Sequence, residues 1–184
     1  MTTQKRNIRF LSKEDIDLII NHLPDDLRGR RDRAIMQVAF STGLRISELL
    51  RLKRSDFTKG DTSKVLEISI IGKMDWQRTI YISPTALQAT LRYFAGRSDD
   101  DDRAFMISKR GAQKMVKVRA IEAGMEKFIS CHVFRHSFAC HLLKQGVSLF
   151  YIQQFCGHRA ISSTSAYLHA TNFDLEEIHK KIMK

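Results

Sequence analysis

The segment from residue 132 to residue 167 constrains the fold of this chain more than any other. Apolar residues recur in it at the four-residue spacing of one helix face: Phe134, Phe138 and Leu142. Gly146 then ends this helix, as a C-cap glycine does. A second helix with an apolar stripe follows, and it ends at Gly157. The segment is therefore predicted to consist of two helices joined by a short turn.

The polar residues of this segment are of the types that bind a phosphodiester. His132 and Arg135 are three residues apart, so they share one face at the start of the first helix. His158 follows Gly157 directly, and the phenol of Tyr167 lies nine residues further on. No carboxylate pair and no Cys/His metal-binding spacing accompanies them. Arginine and imidazole donors would stabilise the charge that develops on a phosphodiester while a hydroxyl attacks it.

The pattern H-x-x-R-H, then G-H, then a tyrosine nine residues on resembles the C-terminal catalytic signature of the tyrosine recombinases, also called the phage-integrase family. That family carries a second arginine in a T-G-x-R-x-x-E-L sequence. Here the sequence TGLRISELL brings Arg45 and Glu48 to those positions. A lysine from a β-hairpin completes the family set, and Lys73 lies in a hairpin-like segment. One position departs from the family pattern, since Cys156 replaces a common leucine with another apolar residue.

The resemblance implies that Tyr167 attacks the scissile phosphate and forms a 3′-phosphotyrosyl link. A phenol has a pKa of about 10 and is a poor nucleophile at neutral pH, so nearby cations must help it to lose its proton. Arg45 and Arg135 would hold the non-bridging oxygens, because a guanidinium can bind phosphate oxygens in pairs. The other tyrosines are interpreted as structural: Tyr81, Tyr93 and Tyr151.

The resemblance also implies roles for two histidines, a lysine and a glutamate. His132 would accept a proton or donate a hydrogen bond, and His158 would donate to a phosphoryl oxygen. Lys73 would protonate the leaving 5′-hydroxyl, although a lysine at a hairpin tip is commonly just solvated. Glu48 would orient Arg45 or a histidine, whereas the simpler alternative is an ordinary surface ion pair between residues three apart.

The activity implied by the resemblance is site-specific cleavage and exchange of DNA strands. A covalent phosphotyrosine keeps the bond energy, so neither metal nor ATP is needed, and the sequence contains no P-loop glycine pattern. Double-stranded DNA would be the partner, with four protomers acting on two sites through a Holliday junction. An amphipathic C-terminal helix would pack on its own domain or be exchanged with a neighbouring protomer: Phe173, Leu175, Ile178 and Ile182. No cofactor and no membrane association is expected.

Three other functions remain as alternatives. A type IB topoisomerase or a resolvase of DNA ends would use the same chemistry. A DNA-binding module without catalysis belongs to another class, and the complete set of predicted catalytic residues argues against it. A metal-dependent nuclease is disfavoured because the sequence has no carboxylate cluster.

Composition agrees with a DNA partner. The 184 residues carry a formal net charge of +11, an excess typical of proteins that bind polyanions. Nucleic acid ranks first among such partners and an anionic membrane second, and a solubilising surface charge is the alternative. No apolar run is long enough to span a membrane, and the N-terminus lacks the apolar region of a signal peptide. Three cysteines without a C-x-x-C pair favour reduced thiols and a cytoplasmic, nucleoid-associated protein.

Periodicity along the rest of the chain predicts an α+β domain that is mainly α, with a small antiparallel sheet. Ser12 and Asp15 form a capping box at the start of a helix from Leu11 to Leu23. Alternating apolar residues predict a β-hairpin between Lys64 and Ile82, with a third short strand as an option. Further predicted elements are the helix Arg30–Thr42, a helix starting at Ser83-Pro84, an exposed acidic loop Asp99–Asp102, and a basic helix Gly111–Ala123 that contacts phosphate or merely faces solvent.

We expect residues 1–10 to be a basic N-terminal arm and residues 11–184 to be the catalytic domain. In the family, a separate N-terminal DNA-clamping domain, the core-binding domain, usually precedes the catalytic one. The sequence has no room for it. We therefore expect either a shortened piece of a longer protein or a short member that lacks this domain.

Overall fold

The computed structural model describes residues 10–71, 77–125 and 129–158, and it has the predicted mainly helical α+β fold with one antiparallel hairpin. Its elements are α1 (Lys13–Asn21), α2 (Leu27–Thr42), α3 (Ile46–Leu49), α4 (Arg54–Phe57), β1 (Leu66–Ile71), β2 (Gln77–Ile82), α5 (Pro84–Ala95), α6 (Lys109–Glu122), α7 (Cys131–Lys144) and α8 (Leu149–Cys156). Four predicted features lie wholly or mostly outside the described residues: Lys73, Tyr167, the C-terminal helix and residues 1–9 of the N-terminal arm.

Side-chain caps decide where the helices begin. The predicted capping box is confirmed, since Ser12 Oγ accepts from the backbone N–H of Asp15 at 3.1 Å and the Asp15 carboxylate accepts from Ser12 N–H at 3.0 Å. The predicted start of α2 is wrong by three residues. Asp26 accepts from the backbone N–H of Gly29 at 2.6 Å, which lets the helix begin at Leu27.

The start of α6 is also earlier than predicted. Ser108 Oγ accepts from the backbone N–H of Gly111 at 3.0 Å, so the helix begins at Lys109. One of its basic residues, Arg119, donates to Asp32 at 2.9 Å and to Glu122 at 2.9 Å. Asp32 is 1 % exposed, so this guanidinium balances a buried charge between α2 and α6 and does not simply face solvent.

Helix α2 lies at the centre of the core, where it contacts α5, α7 and β2. Its buried side of Ile35, Met36 and Val38 joins the main hydrophobic cluster. A smaller cluster lies between α7 and α8 and includes two buried thiols, Cys140 and Cys156. Both cysteines are free thiols.

The hairpin pairs β1 with β2 in a register that runs from Leu66 opposite Ile82 to Ile71 opposite Gln77. Within the described ranges the sheet has these two strands. Ile80 and Ile82 are buried, and Arg78 lies in phase with them on the same face of β2. The hairpin therefore brings a guanidinium to the apolar side of the sheet.

The acidic loop Asp99–Asp102 is exposed over most of its length, as predicted. Two of its four carboxylates are paired locally, because Asp99 pairs with Arg97 and Asp101 pairs with Arg103. Arg97 is buried and also donates to backbone carbonyls of the same loop. The loop is thus closed around one arginine.

Candidate active site

The turn between α2 and α3 places Arg45 and depends on Gly43. This glycine has a φ of +63°, a conformation that other residues rarely adopt. A Cβ atom there would lie 2.3 Å from Cδ1 of Phe138 on α7. The absence of a side chain therefore lets α7 approach the turn closely, and Arg45 follows two residues later as the N-cap of α3.

Arg135 on α7 joins two separate turns. Its Nη1 donates to the carbonyl oxygen of Gly43 at 2.7 Å, and its Nη2 donates to the carbonyl oxygen of Cys156. The side chain is 2 % exposed, so both hydrogen bonds are buried. One carbonyl lies just before Arg45 and the other just before the Gly157–His158 turn, so Arg135 sets the distance between these two parts of the site.

Glu48 holds Arg45 through both its main chain and its side chain. The carboxylate accepts from the Arg45 backbone N–H at 2.9 Å and from Arg45 Nη1 at 3.2 Å. The Glu48 side chain is 6 % exposed while that of Arg45 is 39 % exposed. The alternative of an ordinary surface ion pair is therefore wrong, because the carboxylate is buried and only the guanidinium reaches solvent.

A second guanidinium, which the sequence reasoning missed, holds the other side of Glu48. Arg78 on β2 donates to both carboxylate oxygens, at 3.3 Å from Nη1 and 3.0 Å from Nη2. Burial raises the pKa of Glu48, but the hydrogen bonds from Arg78 and from the Arg45 backbone outweigh burial and hold the pKa below its usual range. The alternation of β2 could have indicated this ion pair, since a charged residue on the same face as the buried Ile80 and Ile82 needs an oppositely charged or hydrogen-bonding partner.

Three histidines lie close enough to the arginines for their pKa values to be affected by the guanidinium charges. Burial, together with the charges of Arg135 and Arg45, lowers the pKa of His132, and the same causes lower the pKa of His158 to about 4. His136 lies beside His132 with the ring centroids 5.3 Å apart. Burial, with the charges of His132 and Arg135, lowers its pKa to about 4.

Local hydrogen bonds fix the turn that carries His158. Gly157 adopts a φ of +60° at the end of α8, as the predicted C-cap requires. The backbone N–H of His158 donates to the carbonyl of Gln153 at 3.0 Å, and Gln153 Nε2 donates to the carbonyl of His158 at 3.1 Å. Both the backbone N–H and the backbone carbonyl of His158 are therefore hydrogen-bonded to Gln153, which fixes the point from which the imidazole projects.

Replacing His158 by glutamine is expected to flatten the loss of stability on acidification. With a folded-state pKa of about 4, the unfolded chain takes up the proton first, because its histidine keeps a pKa of about 6.5. The contribution of His158 is therefore complete above pH 6.5 or so and is lost as the pH falls to about 4. Thermal unfolding of both proteins between about pH 7.5 and about pH 4.5 measures this difference. Equal slopes would contradict a neutral, half-buried imidazole.

The structure brings together five of the seven predicted site residues: Arg45, Glu48, His132, Arg135 and His158. The other two, Lys73 and Tyr167, are outside the described residues. The cluster contains three guanidiniums, those of Arg45, Arg78 and Arg135, and one carboxylate, that of Glu48, which binds Arg45 and Arg78. This leaves a net positive charge near the imidazole of His158. Such a cluster can bind an oxyanion with charged and neutral donors together.

The described part of the chain has neither a metal-binding cluster nor a membrane-spanning helix. No three His, Cys, Asp or Glu side chains there are arranged to hold a metal ion. No helix in the same ranges is both long and apolar enough to cross a membrane.

The known proteins that resemble this chain in sequence and in fold are named as recombinases. The chain is 34 % identical over 187 residues to the tyrosine recombinase XerD of Listeria innocua, covering 94 % of this chain and 62 % of that protein. The chain thus spans about three fifths of the length of the curated relatives it matches. Among solved structures, XerA recombinase superposes with a TM-score of 0.77 at 27 % identity, over 96 % of this chain and 65 % of that one.

A second solved structure has the same fold at lower identity. It is the XerH site-specific recombinase bound to palindromic difH substrate, with a TM-score of 0.76 at 24 % identity, over 97 % of this chain and 54 % of that one. The sequence model of the phage integrase family matches residues 9–173, which include every predicted site residue. The chain therefore belongs to the phage integrase family.

Proposed function

We propose that this protein is a site-specific DNA recombinase that cleaves and rejoins DNA strands through a 3′-phosphotyrosine intermediate, without metal or ATP. The observation that carries the proposal is the cluster itself. Arg45 is half exposed, yet it is held by a buried carboxylate, and Arg135 and His158 lie around it. A guanidinium fixed in this way at a surface is suited to binding a phosphodiester of a long polyanion.

In this proposal each residue of the cluster has one role. Arg45 binds the non-bridging phosphate oxygens from the exposed side, and Arg135 adds its charge from beneath while its carbonyl partners hold it. His132 and His158, both with lowered pKa values, act as neutral hydrogen-bond donors or acceptors at neutral pH. Glu48 keeps Arg45 in place.

Two further residues complete the proposed reaction. The phenol of Tyr167 gives its proton to the neutral imidazole of His132, and its oxygen bonds to the phosphorus atom while the bond from phosphorus to the 5′-oxygen breaks. The departing 5′-oxygen takes a proton from Lys73. Attack by a 5′-hydroxyl on the phosphotyrosine then restores the phosphodiester and frees the phenol, so no external energy source is consumed.

Double-stranded DNA is the proposed partner. The net charge of +11 supports this, because the protein would gain affinity by displacing counterions from phosphates. XerH, which has the same fold, was solved bound to a DNA substrate in a post-cleavage complex. A cytoplasmic, nucleoid-associated location follows from such a substrate and belongs to the proposal.

A covalent-trapping assay tests the proposed reaction class. The protein is incubated with nicked duplexes from its source genome in the presence of EDTA and without ATP, and it is then denatured. We expect a protein–DNA adduct that survives denaturation, because the nick lets the 5′-end diffuse away and prevents rejoining. Tight binding without an adduct would favour a non-catalytic DNA-binding module, and cleavage that requires a divalent metal would favour a nuclease.

We also propose that four protomers assemble on DNA and exchange their C-terminal helices. A groove of about 410 Å³ supports this, since it is apolar and open at the surface of the hairpin, α7 and α8. Its lining includes Val65, Ile80, Tyr81, Phe138, Leu142 and Phe155. The predicted helix around Phe173 and Ile182 is too short to be stable alone, so it must dock on an apolar surface.

Disulfide trapping distinguishes docking within one protomer from exchange between protomers. Cysteines would replace the exposed Tyr81 at the groove and Ile178 in the C-terminal segment. Exchange predicts linked dimers and larger species on DNA, whereas docking within the protomer predicts linked monomers. No linkage in either form would contradict the groove as the docking site.

Residues 11–184 remain the proposed catalytic domain, with residues 1–10 as a basic arm.

A further inference from the structure

The ion pair between Arg78 and Glu48 has features that a simple structural pair does not need. Both side chains are buried, at 7 % and 6 % exposure, and both Nη groups of Arg78 bind the carboxylate. The same carboxylate holds the backbone and the side chain of Arg45. Arg78 thus shares one carboxylate with the guanidinium that is proposed to bind phosphate.

Arg78 also lies against the turn that carries His158. A Cβ atom at Gly157 would be 2.7 Å from Nη1 and 2.9 Å from the central guanidinium carbon of Arg78. The space that the glycine leaves is therefore filled by this guanidinium. One arginine on the hairpin touches both the Arg45 side and the His158 side of the cluster.

The position of Arg78 in the chain links the Lys73 segment to these contacts with Glu48 and Gly157. It is the second residue of β2 and comes five residues after Lys73. Its Nε is buried and finds no acceptor among the described residues, so in those ranges Glu48 is what orients the guanidinium. The strand that follows the Lys73 segment is therefore joined to the phosphate-binding residues by the Arg78–Glu48 ion pair and by the contact of Arg78 with the Gly157 turn.

We propose that Arg78 is a positioning residue for the reaction: from the hairpin it holds Glu48, and through Glu48 and Gly157 it keeps Arg45 and His158 at the spacing that the scissile phosphate requires. This inference rests on the proposed function. It assigns no contact with DNA to Arg78.

A double-mutant cycle tests the proposal. The variants are Arg78→Met, Glu48→Gln and the combination of the two, with adduct formation on nicked duplex measured at saturating protein. We expect Arg78→Met to slow adduct formation by about 10- to 100-fold, because small displacements of positioned groups have effects of that size. The combined variant should be no slower than the slower single variant, because both changes break the same link. Losses that multiply would overturn a role exercised through Glu48.

Two controls separate positioning from folding. Arg119→Met breaks another partly buried ion pair, with Asp32, and should leave the rate per folded molecule within about twofold of the wild type. Arg78→Met leaves Glu48 without a partner on one side and can impair folding, but the combined variant removes both charges and is expected to fold. If Arg78→Met kept the wild-type rate per folded molecule, the proposal would be wrong.

A hydrogen-exchange measurement that does not depend on catalysis tests this inference separately from the proposed function. The backbone N–H of Arg45 donates to Glu48, so its hydrogen exchange reports where the carboxylate lies. We expect faster exchange of this amide in Arg78→Met than in Arg119→Met, relative to the other amides of each protein. Equal exchange would overturn the proposal even if cleavage were observed. If the wild type forms no adduct, the proposed function fails while this measurement still decides whether Arg78 positions Arg45.

Discussion

Replacing Tyr167 by phenylalanine is expected to abolish the covalent protein–DNA adduct. The substitution removes only the phenol oxygen, which is the proposed nucleophile, and it keeps the ring. No other group would form the bond to phosphorus, so the loss should be complete rather than partial. Binding to the same duplex should stay within about twofold of the wild type, because a single uncharged atom contributes little to phosphate-dominated affinity.

A matched control for this variant is Tyr151→Phe. Tyr151 lies on α8 and is 60 % exposed, so its hydroxyl can be removed without disturbing the core. The adduct should form at the wild-type rate in this control. An adduct of unchanged yield in Tyr167→Phe would show that another residue is the nucleophile.

Replacing Arg135 by lysine is expected to impair both cleavage and stability. A lysine has one ammonium group and cannot reach the carbonyls of Gly43 and Cys156 in the way that the two Nη groups do. Cleavage should fall by about 10²- to 10³-fold, the usual effect of losing a donor that stabilises transition-state charge. The free energy of unfolding should fall by about 1–3 kcal/mol, because a buried carbonyl loses its partner.

Arg97→Lys separates these two effects. Arg97 is also a buried arginine that donates to backbone carbonyls, but its acceptors belong to the loop around Asp101. Chemical denaturation should show a loss of stability in both variants, while adduct formation per folded molecule should fall only in Arg135→Lys. A similar loss of cleavage in Arg97→Lys would reduce the role of Arg135 to general stability.

Local signals in the sequence predicted much of the fold. Ser12 with Asp15, Ser83 with Pro84, and Gly157 after α8 are capping patterns that act over a few residues, and the structure has them where predicted. The late predicted starts of α2 and α6 have the same cause. The capping side chain lies before the first residue that the apolar pattern identifies. Periodicity alone therefore predicts a first helical residue that is too far along the chain.

Contacts between distant residues could not be predicted in the same way. Glu48 and Arg78 are 30 residues apart, and Arg135 is 92 residues from Gly43. The family motif indicated that Arg135 matters but gave no sign that it bonds to two backbone turns. The hairpin pattern placed Arg78 on the apolar face, yet which carboxylate it meets depends on how the hairpin packs against α3.

The most direct test of the account is to identify the residue that carries DNA after cleavage. The trapped adduct would be digested with trypsin and nuclease and examined by mass spectrometry. The peptide from Ala160 to Lys180 contains Tyr167 as its only tyrosine, while Tyr151 falls in the preceding peptide. We expect the 160–180 peptide to carry a nucleotide linked through its 3′-phosphate to Tyr167. A nucleotide on any other peptide, or cleaved DNA with no linked peptide, would contradict the central claim.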